Sequence, residues 1–369
     1  MPGKMEGFGW FTFETVTRMA SQHPEHHFIF LFDRPFDQKF IVSKNITPVV
    51  IGPPARHPFL FYWWFEFSVK KALKKYKADI FLSPDGYLCL STSVPSVAVI
   101  HDINFEHFPL DLRFSHRKYY RHFFPKFARK AKRIITVSAY SKNDIAEKYR
   151  VSPDKIDVAY NGVSDSFSPV AGEIKTGVKN KFTEGKDFFV FVGALHPRKN
   201  LARMFMAFDL FKAETNSSLK LVVVGEKYFW NREISNAWEN MKHKQEVVFT
   251  GHQNREELHK IMGSARALIF VSYFEGFGLP LVEAMKCGVP VLAANASCLP
   301  EIAGGAALLV DPFSVSSITE GMKKINSDDA LREKLVNDGL QRCTYFSWQK
   351  TADGVWESLI KTAHAESLL

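Results

Sequence analysis

Along most of the chain, apolar runs of four to eight residues alternate with segments whose apolar positions recur at helical spacing. That alternation is the pattern of βαβ units, in which parallel strands are joined by crossover helices. In the first half it predicts strands at 28–32, 46–51, 80–83, 96–101 and 133–138, and helices at 10–21, 60–76, 114–131 and 141–149. Residues 164–186 break the rhythm: they are rich in Ser, Gly, Lys and Glu with little apolar period, and read as a linker. The alternation then restarts, with strands at 188–192, 220–224, 246–249, 267–271, 289–293 and 306–310. Helices are expected at 201–215, 232–242, 255–264, 280–286 and 314–325, and two more at 329–343 and 348–363.

The fold class that follows is α/β, with two doubly wound, Rossmann-like domains: residues 1–165, then 166–346, followed by a closing helix in 347–369. A chain of 369 residues is too long for one ordinary core and comfortable for two. Two such domains would place a ligand cleft between them, at the carboxyl ends of the strands. One element is wanting. Gly7-Phe8-Gly9 is a glycine turn entering a helix at Trp10, and in a doubly wound domain such a turn follows the first strand. The six residues before it, M-P-G-K-M-E, do not make a strand. A first strand usually sits mid-sheet, where its loss would leave ladder groups unpaired. The first strand of the N-terminal domain is therefore expected upstream of Met1.

Composition narrows the class. Hydrophobic residues make up 46% and charged residues 24%, the balance of a soluble globular protein. No apolar run reaches the roughly 18–20 residues that span a bilayer, and the most aromatic stretch, P-F-L-F-Y-W-W-F-E-F-S-V at 58–69, is interrupted by Glu66. No apolar leader follows Met1, so no secretory signal is read. Cys89, Cys287, Cys298 and Cys343 are scattered and form no C-x-x-C pair, which suits a reduced cytoplasm and argues against a zinc cage or disulfide framework.

The formal charge of +9 is uneven: residues 1–165 hold 24 Lys+Arg against 16 Asp+Glu, and the remainder 24 against 23. Lys70, Lys71, Lys74, Lys75 and Lys77 follow the aromatic run directly, and Arg117 to Arg133 supplies a second basic group. Such a face either attracts anionic lipid, a phosphate-bearing acceptor or nucleic acid, or is a solvated helix surface.

The candidate chemistry lies in 267–292, which reads strand, loop, short helix, strand. Glu275-Gly276-Phe277-Gly278 forms the loop, Pro280 suits a first helical position, and Gly288 and Pro290 close the helix. Gly276 and Gly278 let the backbone approach a ligand, and the helix N-terminus that follows favours an anion. Two carboxylates, Glu275 and Glu283, bracket the loop. As a bare G-x-G this would be an ordinary strand-to-helix turn; the two glutamates and the trailing A-M-x-x-G-x-P-V make it more specific.

The run E-G-F-G-L-P-x-x-E-A-M-x-x-G-x-P-V resembles the family 4 retaining glycosyltransferases of the GT-B fold (glycosyl transferases group 1), with their E-x7-E motif. The resemblance implies that Glu275 contacts the donor sugar and that the amides of Gly276, Phe277, Gly278 and Leu279 hold sugar hydroxyls and phosphate. Glu283 would accept hydrogen bonds from the ribose. A second element agrees: Gly193-Ala194-Leu195-His196-Pro197-Arg198-Lys199 follows a strand, where the family places basic residues against the donor diphosphate. Lys199 matches the family lysine. The arginine often found after the V-G is Ala194 here, so Arg198 substitutes for it or serves elsewhere. The bland alternative is a solvated Arg–Lys pair at a helix start, a placement the dipole disfavours.

By the same resemblance His101, in V-I-H-D at the end of a strand of the first domain, would contact the donor hexose; a lone histidine at a strand end is more often a satisfied structural residue. Asn161-Gly162-Val163, Val222–Glu226 and Thr250-Gly251-His252 also fit the family pattern, while 299–302 and 309–312 fit it as structural elements. The closing helix, starting at F-S-W-Q-K, would cross back to the N-terminal domain.

The implied reaction is transfer of a hexose, mannose among the candidates, from a nucleoside diphosphate sugar to a glycan or lipid-linked acceptor in polysaccharide biosynthesis. The resemblance implies a retaining transfer; no D-x-D is placed to hold a metal diphosphate, which agrees with metal independence. The donor is a substrate, and no cofactor is expected. The implied location is the cytoplasm, with the inner membrane face as a site of peripheral contact. The rival reading is a noncatalytic GT-B-like protein that binds nucleotide sugar or an anionic partner. No zinc finger, RNA-binding aromatic motif or helix-turn-helix supports nucleic acid, and Gly7-Phe8-Gly9 is an incomplete dinucleotide fingerprint.

Overall fold

The computed structural model describes residues 7–55, 57–227 and 229–368. They form two compact units, one running to Gly162 and resuming at Trp348, the other spanning Val163–Ser347.

The first unit opens with α1 (Gly7–Gln22), so the expected glycine turn is already helix, and the proposed leading strand falls outside the described residues. Then come β1 (Phe28–Phe32), β2 (Ile46–Val50), α2 (Pro58–Trp63), a π-helical turn over Trp64–Val69 and α3 (Lys70–Lys75). β3 (Phe81–Ser83), β4 (Ser96–Val99), α4 (Asn104–His107), α5 (Phe114–Lys130), β5 (Arg133–Thr136), α6 (Ala139–Tyr149) and β6 (Ile156–Val158) complete the sequence. β3–β4–β5–β6 form one parallel sheet in that order, and β1–β2 pair as a separate parallel pair. The strands therefore follow the sequence pattern, while β6 and α4, three and four residues long, are too short to leave a period.

The second unit corrects the linker. Residues 164–186 contain a twelve-residue helix, α7 (Gly172–Thr183), ended by Glu184 in the left-handed region and Gly185. Its apolar positions Ile174, Val178 and Phe182 do recur every four residues, but Lys and Glu crowd between them and only Val178 is fully buried. α7 packs along α10 (Arg255–Ser264), with Lys181 paired to Glu257 at 3.0 Å.

After α7 the order is β7 (Phe188–Val192), α8 (Leu201–Thr215), β8 (Lys220–Val224), α9 (Arg232–Asn240), β9 (Val247–Gly251), α10, β10 (Ala267–Phe270), α11 (Leu279–Lys286), β11 (Val291–Ala294), α12 (Leu299–Ala303), β12 (Leu308–Val310), α13 (Val315–Ser327) and α14 (Asp329–Cys343). The last helix, α15 (Trp348–Ala365), belongs to the first unit and packs on α1. Among the described residues no helix is long and apolar enough to cross a membrane.

The six parallel strands of the second unit lie in the order β9–β8–β7–β10–β11–β12. This is the doubly wound order, in which the chain starts at mid-sheet, winds outward one way, then returns and winds the other. β7, β8, β10 and β11 are buried along their whole length, as continuous runs such as F-F-V-F-V require. The reversal falls between β7 and β10. At their carboxyl ends helices leave to opposite faces, and the two loops beside that gap are the ones the sequence singled out.

Candidate active site

The floor of the site is made of backbone. Beyond β7, Gly193 N–H donates to the Val224 carbonyl (3.0 Å) and Leu195 N–H to the Glu226 carbonyl (3.2 Å). Gly225 N–H donates to the Gly251 carbonyl (3.0 Å). Gly193 and Gly225 both sit at φ +151°, and a Cβ on Gly225 would lie 1.9 Å from the Gly193 carbonyl oxygen. Only glycine allows these two strand ends to close on each other.

The chain then makes a short 3-10 turn over Pro197–Lys199, capped by His196, whose Nδ1 accepts from the Arg198 amide (3.3 Å). Asn200 follows in the left-handed region, φ +63°, and starts α8. Its side-chain amide donates to the carbonyls of Val271 (3.0 Å) and Pro312 (2.7 Å), and Tyr273 N–H donates to the Arg198 carbonyl (3.0 Å). The basic turn after β7 is thereby fastened to the segment leaving β10.

That fastening brings three charges together. Lys199 Nζ donates to Glu275 Oε1 at 2.6 Å, and Arg198 Nη1 donates to Glu275 Oε2 at 2.8 Å and to the Phe274 carbonyl at 3.0 Å. Each carboxylate oxygen holds one cation. Glu275 is 5% exposed and Lys199 8% exposed, with its ammonium over the Phe270 ring, so this is not a solvated surface pair. Burial alone would raise the Glu275 carboxyl, but Arg198 and Lys199 outweigh it and hold the group at about 2. His196, next to the same cations, is pushed down to about 4 by burial and by their charge and is neutral at pH 7. The backbone of Glu275 is fixed as well: its N–H donates to Ser297 Oγ (3.0 Å) and its carbonyl accepts from the Cys298 thiol (3.1 Å).

The loop then seats α11. Phe277 is buried edge-on to Phe346 (5.4 Å), and Gly278 turns at φ +91°, where a Cβ would meet Leu299 at 2.8 Å. Leu281, Val282, Ala284 and Met285 bury one side of α11. Glu283 is left on the half-open side. Surrounding protein mass raises its carboxyl to about 7, with Arg255 opposing weakly.

Of the residues the sequence pointed to, Arg198, Lys199, Glu275, the 276–279 loop and Glu283 stand together around the β7/β10 reversal. His101 lies in the other unit, past the end of β4. Its Nε2–H donates to the Pro84 carbonyl (2.9 Å), its ring meets Phe8 and Phe11 edge-on, and burial lowers it to about 4. Asn200, Ser297 and Cys298, which hold the charged cluster in place, were not among the expected site residues. Asn200 stands in the R-K-N run, but nothing in the sequence ties Ser297 or Cys298 to Glu275.

A doubly wound second unit with a cationic pair and a glycine loop at its strand reversal, together with a first unit of parallel strands and helices, is the architecture of a GT-B glycosyltransferase. The family model Glycosyltransferase Family 4 matches residues 5–167 and the model Glycosyl transferases group 1 matches residues 174–342. Between them they take in well over half of the chain, which belongs to the family 4 glycosyltransferases. O-antigen chain mannosyltransferase B of Escherichia coli is 29% identical over 284 residues, 75% of this chain and 73% of that protein. Serotype-specific mannosyltransferase WbdA of Escherichia coli is 27% identical over 70% of this chain but only 32% of its own length. Among solved structures, HepE of Anabaena in complex with UDP-glucose superposes with a TM-score of 0.75, covering 97% of each chain at 16% identity. At that identity the likeness speaks for the fold alone.

Proposed function

We propose that this chain transfers a hexose, mannose first among the candidates, from a nucleoside diphosphate sugar to a glycan or lipid-linked acceptor in polysaccharide biosynthesis. Transfer retains the anomeric configuration and needs no metal. The names of the Escherichia coli relatives favour mannose. The observation that carries the donor reading is the Arg198–Lys199–Glu275 cluster, buried at the strand reversal.

Two cations face one carboxylate, so the cluster bears a net positive charge before any ligand arrives. The two cations, with the N-terminal end of α11, supply fixed positive charge where the departing diphosphate gathers negative charge. Glu283 takes the ribose hydroxyls and the 276–279 amides the sugar and phosphate. His101, neutral at working pH, is assigned a hydroxyl of the hexose.

Both Glu275 oxygens are engaged by cations, which blunts the carboxylate as a nucleophile and disfavours a covalent glycosyl-enzyme. Attack from the leaving-group face fits better. The glycosidic C–O bond breaks with its electron pair going to the β-phosphate oxygen, the acceptor oxygen bonds the anomeric carbon on the same face, and its proton passes to that phosphate.

The test is turnover with GDP-mannose, UDP-glucose and ADP-glucose in the presence of EDTA, with the anomeric proton of the product read by NMR. An α-linked product from an α-donor, undiminished by chelator, is expected. A β-linked product would overturn retention, and loss of activity on chelation would overturn metal independence. Nucleotide binding without turnover of any donor would favour the noncatalytic reading.

The raised carboxyl of Glu283 gives a pH signature. Its ionised form, the better acceptor for ribose hydroxyls, prevails above about pH 7 and is lost as pH falls through that value. The donor KM should rise about fivefold between pH 8 and pH 6, the difference between a charged and a neutral hydrogen bond. Glu283→Gln should flatten that profile; a profile unchanged by the substitution would contradict the assignment.

A further inference from the structure

We infer that His196 is a further binding residue of the donor site, its Nε2–H donating to a phosphate oxygen of the nucleoside diphosphate. The inference deepens the donor reading above and rests on it. His196 stands three positions before Lys199 and caps the turn that carries Arg198 and Lys199. The backbone fixes its tautomer. An amide N–H can only donate, so the Nδ1 that accepts from the Arg198 amide (3.3 Å) is the unprotonated nitrogen. Burial and the adjoining cations keep the ring neutral, and its one N–H is therefore at Nε2.

The two nitrogens of an imidazole point to different sides of the ring. With Nδ1 turned to its own backbone, the Nε2–H points away from the turn. The ring is held there: His196 is only 8% exposed, and Phe229 lies against it with ring centres 4.8 Å apart. The hydrogen bond from Leu195 N–H to the Glu226 carbonyl ties the turn to the segment that carries Phe229. Among the described residues no acceptor takes the Nε2–H. A buried donor left without an acceptor costs free energy, and a ligand oxygen set against it removes that cost.

Charge selects that oxygen. Arg198, Lys199 and Glu275 are the charged groups that act on His196, and the one carboxylate is shared between the two cations. The field around the imidazole is thus positive on balance and favours an anionic phosphate oxygen over a sugar hydroxyl or a carbonyl of the base. A neutral donor suits this place. It adds a hydrogen bond to the diphosphate without adding a third cation beside Arg198 and Lys199, which would repel both and cost desolvation.

Two substitutions separate the two nitrogens. His196→Asn keeps an oxygen near the Nδ1 position, and so keeps the cap on the Arg198 amide, but has nothing at the Nε2 position. His196→Gln carries an amide N–H out toward the Nε2 position and gives up the cap. The experiment is titration of the full chain and its variants with GDP, UDP and ADP by calorimetry, and with the matching nucleosides by ligand NMR. For whichever diphosphate wild type prefers, His196→Asn should bind about tenfold to a hundredfold more weakly, the worth of a hydrogen bond to a charged group. Nucleoside binding should not change. His196→Gln should recover most of the diphosphate affinity while melting about 2–4 °C below His196→Asn for want of the cap. In wild type, imidazole nitrogen shifts should report the Nε2–H tautomer, and the Nε2 proton should move downfield when the diphosphate binds. Wild-type affinity in His196→Asn, beside weakened binding in Lys199→Ala, would overturn the inference and leave the donor reading standing. Equal losses for nucleoside and diphosphate would place the contact on the nucleoside and overturn it too. If wild type binds none of the three diphosphates, the donor reading fails and the inference with it.

Discussion

Lys199→Ala is expected to lower kcat with the preferred donor by about two to three orders of magnitude, the usual effect of deleting one donor aimed at developing negative charge. The loss should fall on kcat more than on donor KM, because the diphosphate gains most of its charge as the glycosidic bond breaks. The substitution also strips one oxygen of Glu275 of its cation. With only Arg198 left to offset burial, the carboxyl should rise from about 2 toward the working range. The variant should therefore acquire an acid limb that wild type lacks, with residual activity falling as pH drops and Glu275 protonates. Steady-state kinetics between pH 5 and 8 reads both effects. Lys199→Ala with wild-type kcat would mean that the ammonium braces Glu275 without facing the reaction.

Gly225→Ala should produce the largest loss of stability among single substitutions at the site. The added Cβ would lie 1.9 Å from the Gly193 carbonyl oxygen, a backbone atom that cannot swing aside as a side chain would. The residue also sits at φ +151°, a region essentially closed to other amino acids. Relief requires separating the ends of β7 and β8, which breaks the hydrogen bond from Gly193 to Val224 and shifts the turn that carries Arg198 and Lys199. A cost of at least roughly 3 kcal/mol is expected, enough to lower the urea midpoint of the second unit sharply. Gly177→Ala is the control. It lies inside α7 with no atom within 4 Å of an added Cβ, and should be neutral or stabilising by up to about 1 kcal/mol. Equal midpoints for the two variants would mean that β7 and β8 tolerate separation.

The elements most legible in the sequence were those whose ends carry their own chemistry. Helices expected at 201–215, 255–264 and 329–343 fall where α8, α10 and α14 lie. Asn254 and Asp328 cap the latter two with side-chain oxygens, and Asn200 turns the chain into the first. The donor loop was legible for the same reason, since glycines, proline and paired glutamates at fixed spacing are local signals.

What stayed hidden was set by topology. Lys199 and Glu275 are 76 positions apart, and they meet because β10 inserts beside β7 and not beside β9. No period in the sequence states that order. Once the strands are so placed, a glutamate expected simply to point toward ligand becomes one buried between two cations. α7 was missed because its apolar positions are diluted by charge and its burial depends on α10, a partner separated from it in sequence.

Binding of a sugar donor's nucleoside diphosphate at the β7/β10 reversal of the second unit can be read in a crystal structure of the chain with GDP or UDP. The diphosphate is expected against Lys199, Arg198 and the amides of 276–279, with the ribose hydroxyls on Glu283. A nucleotide bound with its phosphates away from Lys199 and its ribose away from Glu283 would contradict it.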